Sequence, residues 1–193
     1  MKKRFLLFAV IFTLLPLNQA KFLKYLLPIA HGKLIFSNTQ KVFAGNNDYY
    51  FNRGNEKSDR GDFYGAIADF TKAIQLNPYD VDAYFNRGNN KRHLGLHKEA
   101  IEDFTRTIKL NPRDWGAYYS RGLSKSDSGN HKGALVDLNI AIQLNPGSSI
   151  SRIAKGMAKE KLGDQKGACR DAKEGYQMGY REVWVADWIK NNC

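Results

Sequence analysis

The tripeptide Leu-Asn-Pro stands at residues 76–78, 110–112 and 144–146, so one turn recurs every 34 residues without insertion or deletion. A period of that length marks a repeat array, in which each unit buries its apolar face only against its neighbours. Other positions keep the same period. Gly54, Gly88, Gly122 and Gly156 form one row, Gly61, Gly95, Gly129 and Gly163 a second, and Ala66, Ala100, Ala134 and Ala168 a third. Four copies of one unit therefore stand in register.

The second copy shows how a unit folds. Asp80 offers a helix N-cap, Gly95 permits the left-handed residue between two helices, and Pro112 ends the second helix. Tyr84, Gly88 and Lys91 fall at helical spacing on the first helix, and Ala100, Phe104 and Thr107 on the second. Gly88 and Ala100 lack bulk, which lets the backbones approach, while Tyr84 and Phe104 fill the space beside them. The expected fold is all-α: an α-solenoid of three full repeats and one degenerate repeat, closed by a C-terminal helix.

An aromatic, then Gly four residues later, Ala twelve on, Phe four beyond and Pro eight after that resembles the tetratricopeptide repeat family. Copy one carries Tyr50, Gly54, Ala66, Phe70, Ala73 and Pro78, and copy three Tyr118, Gly122, Ala134, Leu138, Ala141 and Pro146. Copy four departs, with Arg152, Ala172, Gly175 and Tyr180 at the aromatic, Phe, Ala and Pro positions, as terminal repeats often do. The expected boundaries are 47–80, 81–114, 115–148 and 149–180 for the repeats and 181–193 for the capping helix. The resemblance implies a non-enzymatic scaffold that binds a protein or an extended peptide, with no cofactor.

Before the first glycine the family usually has Leu, yet this chain has Arg53, Arg87, Arg121 and Lys155. Each is followed sixteen residues later by an acid: Asp69, Asp103, Asp137 and Asp171. Reflection of two antiparallel helices about the intervening glycine sets these positions opposite one another, so four ion pairs are expected along the array. They read either as a charged binding strip or as a structural ladder fixing helix register, and the second is the adopted reading. The Asn-Arg-Gly version of the motif resembles a bacterial subgroup of the family.

In this family the first helix of each unit lines a concave groove. Mapped by period, the groove positions are Phe51, Asn52 and Asn55; Phe85, Asn86 and Asn89; Tyr119, Ser120 and Leu123; and Ile153, Ala154 and Met157. Asn side chains offer donors and an acceptor to an extended peptide backbone, and the apolar residues offer pockets. The competing reading is that these residues pack on one another. Family members that clamp a chaperone's C-terminal carboxylate place Lys and Arg beside two Asn. Asn55 and Asn86 match those amides, but Phe51, Gly116 and Ser120 stand where the cations belong, so that activity is not expected. A groove of about 30–40 Å holds an extended segment of roughly ten residues.

The start, MKKRFLLFAVIFTLLPLNQA, has a basic n-region followed by an apolar run. This is the layout of a secretory signal peptide, or of an N-terminal anchor left in place, over residues 1–20. Ala20 is the favoured cleavage position, with Val42-Phe43-Ala44 a better-fitting but distant alternative. Residues 21–46 form a basic and apolar linker that includes the run Phe22 to Ala30. The chain is thus expected to be exported or membrane-associated, with membrane contact through residues 1–44. An assembly or maturation factor for a membrane complex is the alternative function. Residues 1–48 hold seven Lys or Arg against Asp48 alone, and carry more than half of the net charge of +11. The repeats are nearly balanced, which argues against nucleic acid as the partner.

Trp184 with Trp188 and Val185 with Ile189 make an amphipathic helix that resembles the family's capping helix, with both tryptophans facing the core. Cys169 and Cys193 are the two cysteines. A helix running back from Gly179 brings them together, as a disulfide if the compartment permits it or otherwise as two thiols. Of the histidines, His93 and His97 are separated by the turn at Gly95. His97 and His131 occupy the same repeat position one helix pair apart, too far for one zinc. Asp59, Asp62 and Asp127 fall in turns, and no nucleophile set or phosphate loop is present. No metal, cofactor, small-molecule substrate or enzymatic activity is expected.

Overall fold

A computed structural model describes the backbone of residues 32–193 and the side chains from residue 46 onward. The signal or anchor at 1–20, cleavage after Ala20, the run Phe22 to Ala30 and His31 lie outside the described residues, as do the side chains of Val42, Phe43 and Ala44. The chain divides into the units Met1–Phe43 and Ala44–Cys193, and the repeats lie in the second. The described residues form nine helices: α1 (Gly32–Asp59), α2 (Phe63–Leu76), α3 (Val81–His93), α4 (His97–Leu110), α5 (Trp115–Asp127), α6 (His131–Leu144), α7 (Ser149–Lys161), α8 (Gln165–Gln177) and α9 (Val183–Asn192). No strand occurs among them.

The Leu-Asn-Pro turn works by side-chain chemistry. Asn77, Asn111 and Asn145 each accept, at Oδ1, the backbone N–H two residues on, from Tyr79, Arg113 and Gly147. This local bond replaces the helical ladder that proline cannot continue. Three residues after each Asn, the side chain of Asp80, Asp114 or Ser148 caps the next helix by accepting from Ala83, Ala117 or Ser151. One six-residue stretch thus ends one helix and starts the next in three successive copies.

Within each repeat the helices turn at a glycine with positive φ, such as Gly95 at 73°. A Cβ there meets nothing within 4 Å, so the demand for glycine is purely one of backbone conformation. Gly88 answers a different need, because a Cβ on it would lie 2.9 Å from the Phe104 ring. The buried interior is accordingly thin and regular. Ala66, Phe70 and Ala73 line it in the first repeat, Ala100, Phe104 and Thr107 in the second, and Ala134, Leu138 and Ala141 in the third. Each second helix also packs on the first helix of the next repeat, which joins the units into one array.

One cap is missing from the series. Asp62, Asn130 and Asp164 cap α2, α6 and α8 by accepting from Gly65, Gly133 and Gly167. The equivalent position before α4 is Leu96, which has no side-chain cap and is exposed. Leu96→Asp is expected to raise stability by about 1 kcal/mol, read as a higher urea midpoint at unchanged m-value.

Candidate functional site

The basic residue before each first-helix glycine meets the acid of its own second helix. Arg53 Nε donates to Asp69 Oδ2 at 2.8 Å, Arg87 Nε to Asp103 Oδ2 at 2.9 Å, and Arg121 Nε to Asp137 Oδ2 at 2.8 Å. In each case Nη2 reaches the second carboxylate oxygen, making a two-point fork. In the fourth repeat Lys155 Nζ lies 3.3 Å from Asp171. All four carboxylates are buried.

Each rung also holds a second cation. Lys57, Lys91, Lys125 and Lys159, one turn beyond the first cation, bring Nζ to the same carboxylate at 2.8, 2.7, 2.7 and 2.6 Å. The sequence places Lys91 at helical spacing with Gly88, but a period of 34 residues alone does not assign these lysines to the rungs. The rungs are further tied across repeats. Arg87 Nη1 donates to Thr71 Oγ1 of the preceding repeat at 3.0 Å, and Arg121 Nη1 to Thr105 Oγ1 at 3.1 Å. The guanidinium faces lie over Tyr84 and Tyr118. Hydrogen bonding from Arg53, with a further contribution from Lys57, outweighs burial and holds the Asp69 carboxyl below the usual carboxylate range. A depressed carboxyl stabilises the fold above its unfolded pKa, and that contribution is lost as pH falls through the folded value.

The expected groove residues divide into three groups. Asn52 and Met157 are exposed, and Asn55, Asn86 and Asn89 are half-buried. Asn86 Nδ2 donates to Asn55 Oδ1 at 3.0 Å, which joins adjacent first helices α1 and α3. Phe51 and Phe85 set their rings edge-on against Phe70 and Phe104, 5.8 Å between centroids in each pair. Tyr119 and Leu123 pack partly against the Ala134 and Leu138 core. Burial raises the pKa of the Tyr119 phenol, and the Arg92 charge partly offsets the shift.

Four expectations need correction. Ser120 is only 6% exposed and Ile153 4%, so neither lines an open surface, and their fellow groove position Ala154 is buried against Ala134 and Leu138. Ile153 is turned inward because Gly175 replaces the family's Ala: its Cδ1 lies 2.7 Å from where a Cβ on residue 175 would sit. Val185 of the capping helix packs on it from the other side. The fourth correction concerns Trp184, which does not face the core but is 47% exposed, with Tyr180 edge-on at 6.4 Å. The covering face of α9 is instead Val185, Trp188 and Ile189, with Trp188 Nε1 donating to Glu160 Oε1 at 3.0 Å. Cys169 and Cys193 meet beside this helix in disulfide geometry, their Cα atoms 5.5 Å apart.

Among the described residues no group of His, Cys, Asp and Glu is placed to hold a metal. His97 Nδ1 lies 3.9 Å from Asp127, and His131 Nδ1 3.2 Å from Ser126 Oγ. The second contact is within hydrogen-bond distance and the first is not.

Comparison with known proteins bears on the same residues. A model described as "Tetratricopeptide repeat" matches residues 81–114, and one described as "TPR repeat" matches 54–90. No curated protein matches the chain at a significant level. Among solved structures, the MamA protein superposes with a TM-score of 0.70 at 23% identity, over 76% of this chain and 80% of that one. The TPR domain of Arabidopsis OM64 gives 0.60 at 22%, over 61% and 98%. The first TPR of Spaghetti (RPAP3), bound to the HSP90 peptide SRMEEVD, gives 0.60 at 21%, over 62% and 94%. At these identities the likeness is one of fold.

The ladder makes a specific prediction. Asp103→Asn leaves Arg87 and Lys91, whose side chains are 16% and 15% exposed, without a carboxylate, and is expected to cost about 3–5 kcal/mol. Lys91→Met removes the surplus cation and is expected to cost about 1 kcal/mol or less. The double variant should be more stable than Asp103→Asn alone, as measured by urea unfolding.

Proposed function

This chain belongs to the tetratricopeptide repeat family, and from that we propose that it is a non-enzymatic scaffold. It holds an extended protein segment on the face made by its first helices. The observation that carries this reading is the row Asn52, Asn55, Asn86 and Asn89, whose amides lie on neighbouring first helices at or near the surface. An amide offers two donors and an acceptor to a passing backbone and is indifferent to the partner's side chains. Exposed Met157 offers an apolar contact further along. The neighbour that holds an HSP90 peptide supports peptide binding for this fold. The clamp cations are absent here, so the partner is a different one. No feature of the repeats calls for a cofactor, a small-molecule substrate or nucleic acid.

The proposal extends to place. The basic and apolar start supports export, or retention at a membrane through residues 1–44. No helix among the described residues is long and apolar enough to cross a membrane. In the exported form, Cys169 and Cys193 form a lasting disulfide that pins α9 over the last repeat. The alternative function, an assembly or maturation factor for a membrane complex, draws on the same N-terminal segment and differs only in what the array recruits.

Two measurements check this reading. Replacement of Asn52, Asn55 and Asn89 by Ala is expected to abolish capture of the partner that the intact chain retains. Replacement of Tyr64 and Val136, exposed on the second helices, is expected to leave capture intact; the reverse pattern overturns the assignment. N-terminal sequencing of the mature protein should find cleavage after Ala20, or an intact chain sedimenting with membranes. Its mass should fall short of the dithiol form by two hydrogens. A soluble chain beginning at Met1 with two free thiols contradicts both parts.

A further inference from the structure

Six arginines of the described residues are half-buried: Arg53, Arg87, Arg92, Arg106, Arg121 and Arg152. Five of them have partners. Arg53, Arg87 and Arg121 fork onto aspartates, Arg152 meets Glu174 and the Pro146 carbonyl, and Arg106 bonds the Pro78 carbonyl and covers the Tyr84 ring. The Arg92 side chain has no acid within 4.0 Å, no hydrogen bond and no ring face among the described residues, and its Nε is buried. A guanidinium drawn partly out of water without a counter-charge is costly, and such groups are normally paired.

The position of Arg92 turns this into a site. It lies three residues after Asn89 on α3, so these two side chains are neighbours on the helix surface. Among the described residues Asn89 likewise makes no side-chain hydrogen bond, whereas Asn86 is joined to Asn55 of α1. The Arg92 charge is also felt by the half-buried Tyr119 of α5 in the next repeat. Arg92 also falls outside the repeat pattern. The residues one period before and after it are Ser58 and Ser126, so it is no part of the ladder.

We propose that Arg92, with Asn89, receives the carboxylate of a Glu or Asp side chain from within the extended segment. A planar guanidinium with unpaired N–H groups matches a carboxylate in two-point geometry. The carboxylate comes from a side chain rather than from a chain end because Arg92 belongs to the second of four repeats. Asn52 and Asn55 lie to one side of it and Leu123 and Met157 to the other, so a bound segment continues past it in both directions. This inference rests on the groove reading above and specifies the partner's chemistry.

The test uses the full chain and two pools of C-terminally amidated, N-acetylated decapeptides, one with Glu fixed at the fifth position and one with Gln, the other positions being randomised. Fluorescence anisotropy is expected to show the Glu pool binding about tenfold more tightly. Arg92→Gln should bring the Glu pool down to the Gln pool's affinity and leave the Gln pool unchanged, and Arg92→Lys should restore part of the difference. Asn89→Ala should weaken both pools. Equal affinity of the two pools for the intact chain overturns the proposal while leaving the groove in place, as does an Arg92→Gln variant that weakens both equally. A Glu preference that appears only with free C-terminal acids assigns the site to a chain end and overturns it too. Binding of neither pool counts against the groove itself.

Discussion

The interaction on which the rest of the structure depends is a buried carboxylate shared by two cations, repeated once per helical hairpin. An Arg or Lys one residue before a glycine and a Lys one turn later converge on an Asp of the facing helix. A two-point fork is intolerant of sliding, so each rung sets the register of its hairpin where larger apolar side chains would merely fill space. The glycine beside it lets the helices close until the Phe104 ring, or its equivalent, touches backbone. The net gain in stability from such a rung is small, since desolvation offsets much of the attraction. Its larger contribution is specificity of packing.

The ladder also determines what the partner meets. Arg87 lies between Asn86 and Gly88, so the same turn of α3 that points its cation at Asp103 presents amides from Asn86 and Asn89 at the opposite flank. Thr71 and Thr105 accept from the next repeat's arginine and carry the register forward, which keeps the amides of successive first helices in line. At the far end the register is closed by α9. Val185 covers Ile153 there, and Trp188 bonds Glu160. A rigid, evenly spaced row suits recognition of an extended chain because the cost of ordering the receptor has been met in folding.

What the sequence revealed was whatever the copies share. The Asn-Pro turn, the hairpin glycines and the sixteen-residue separation of Arg and Asp are all periodic, and comparison of copies isolates them. The second lysine of each rung is periodic too. Its role is not legible along the chain, because only the facing helix shows that it ends on a buried carboxylate. Other features depend on a single exception. Ile153 turns inward because residue 175 lacks a Cβ, and Trp184 turns outward because Val185 and Trp188 take the covering face. Arg92 matters because none of its counterparts, Ser58, Ser126 and Glu160, is a cation. Function in a repeat array sits where the copies differ, and a period read along the chain passes over those places.

The central claim is that a partner lies along the first helices. A photo-crosslinking amino acid placed in the full chain at Asn55, Asn89 or Met157, and separately at Tyr64 or Val136, tests it directly in cells. The account predicts that one partner band forms from the first three positions and is absent from the last two. A band formed from Tyr64 or Val136 but not from Asn89 would place the partner on the second helices and contradict it.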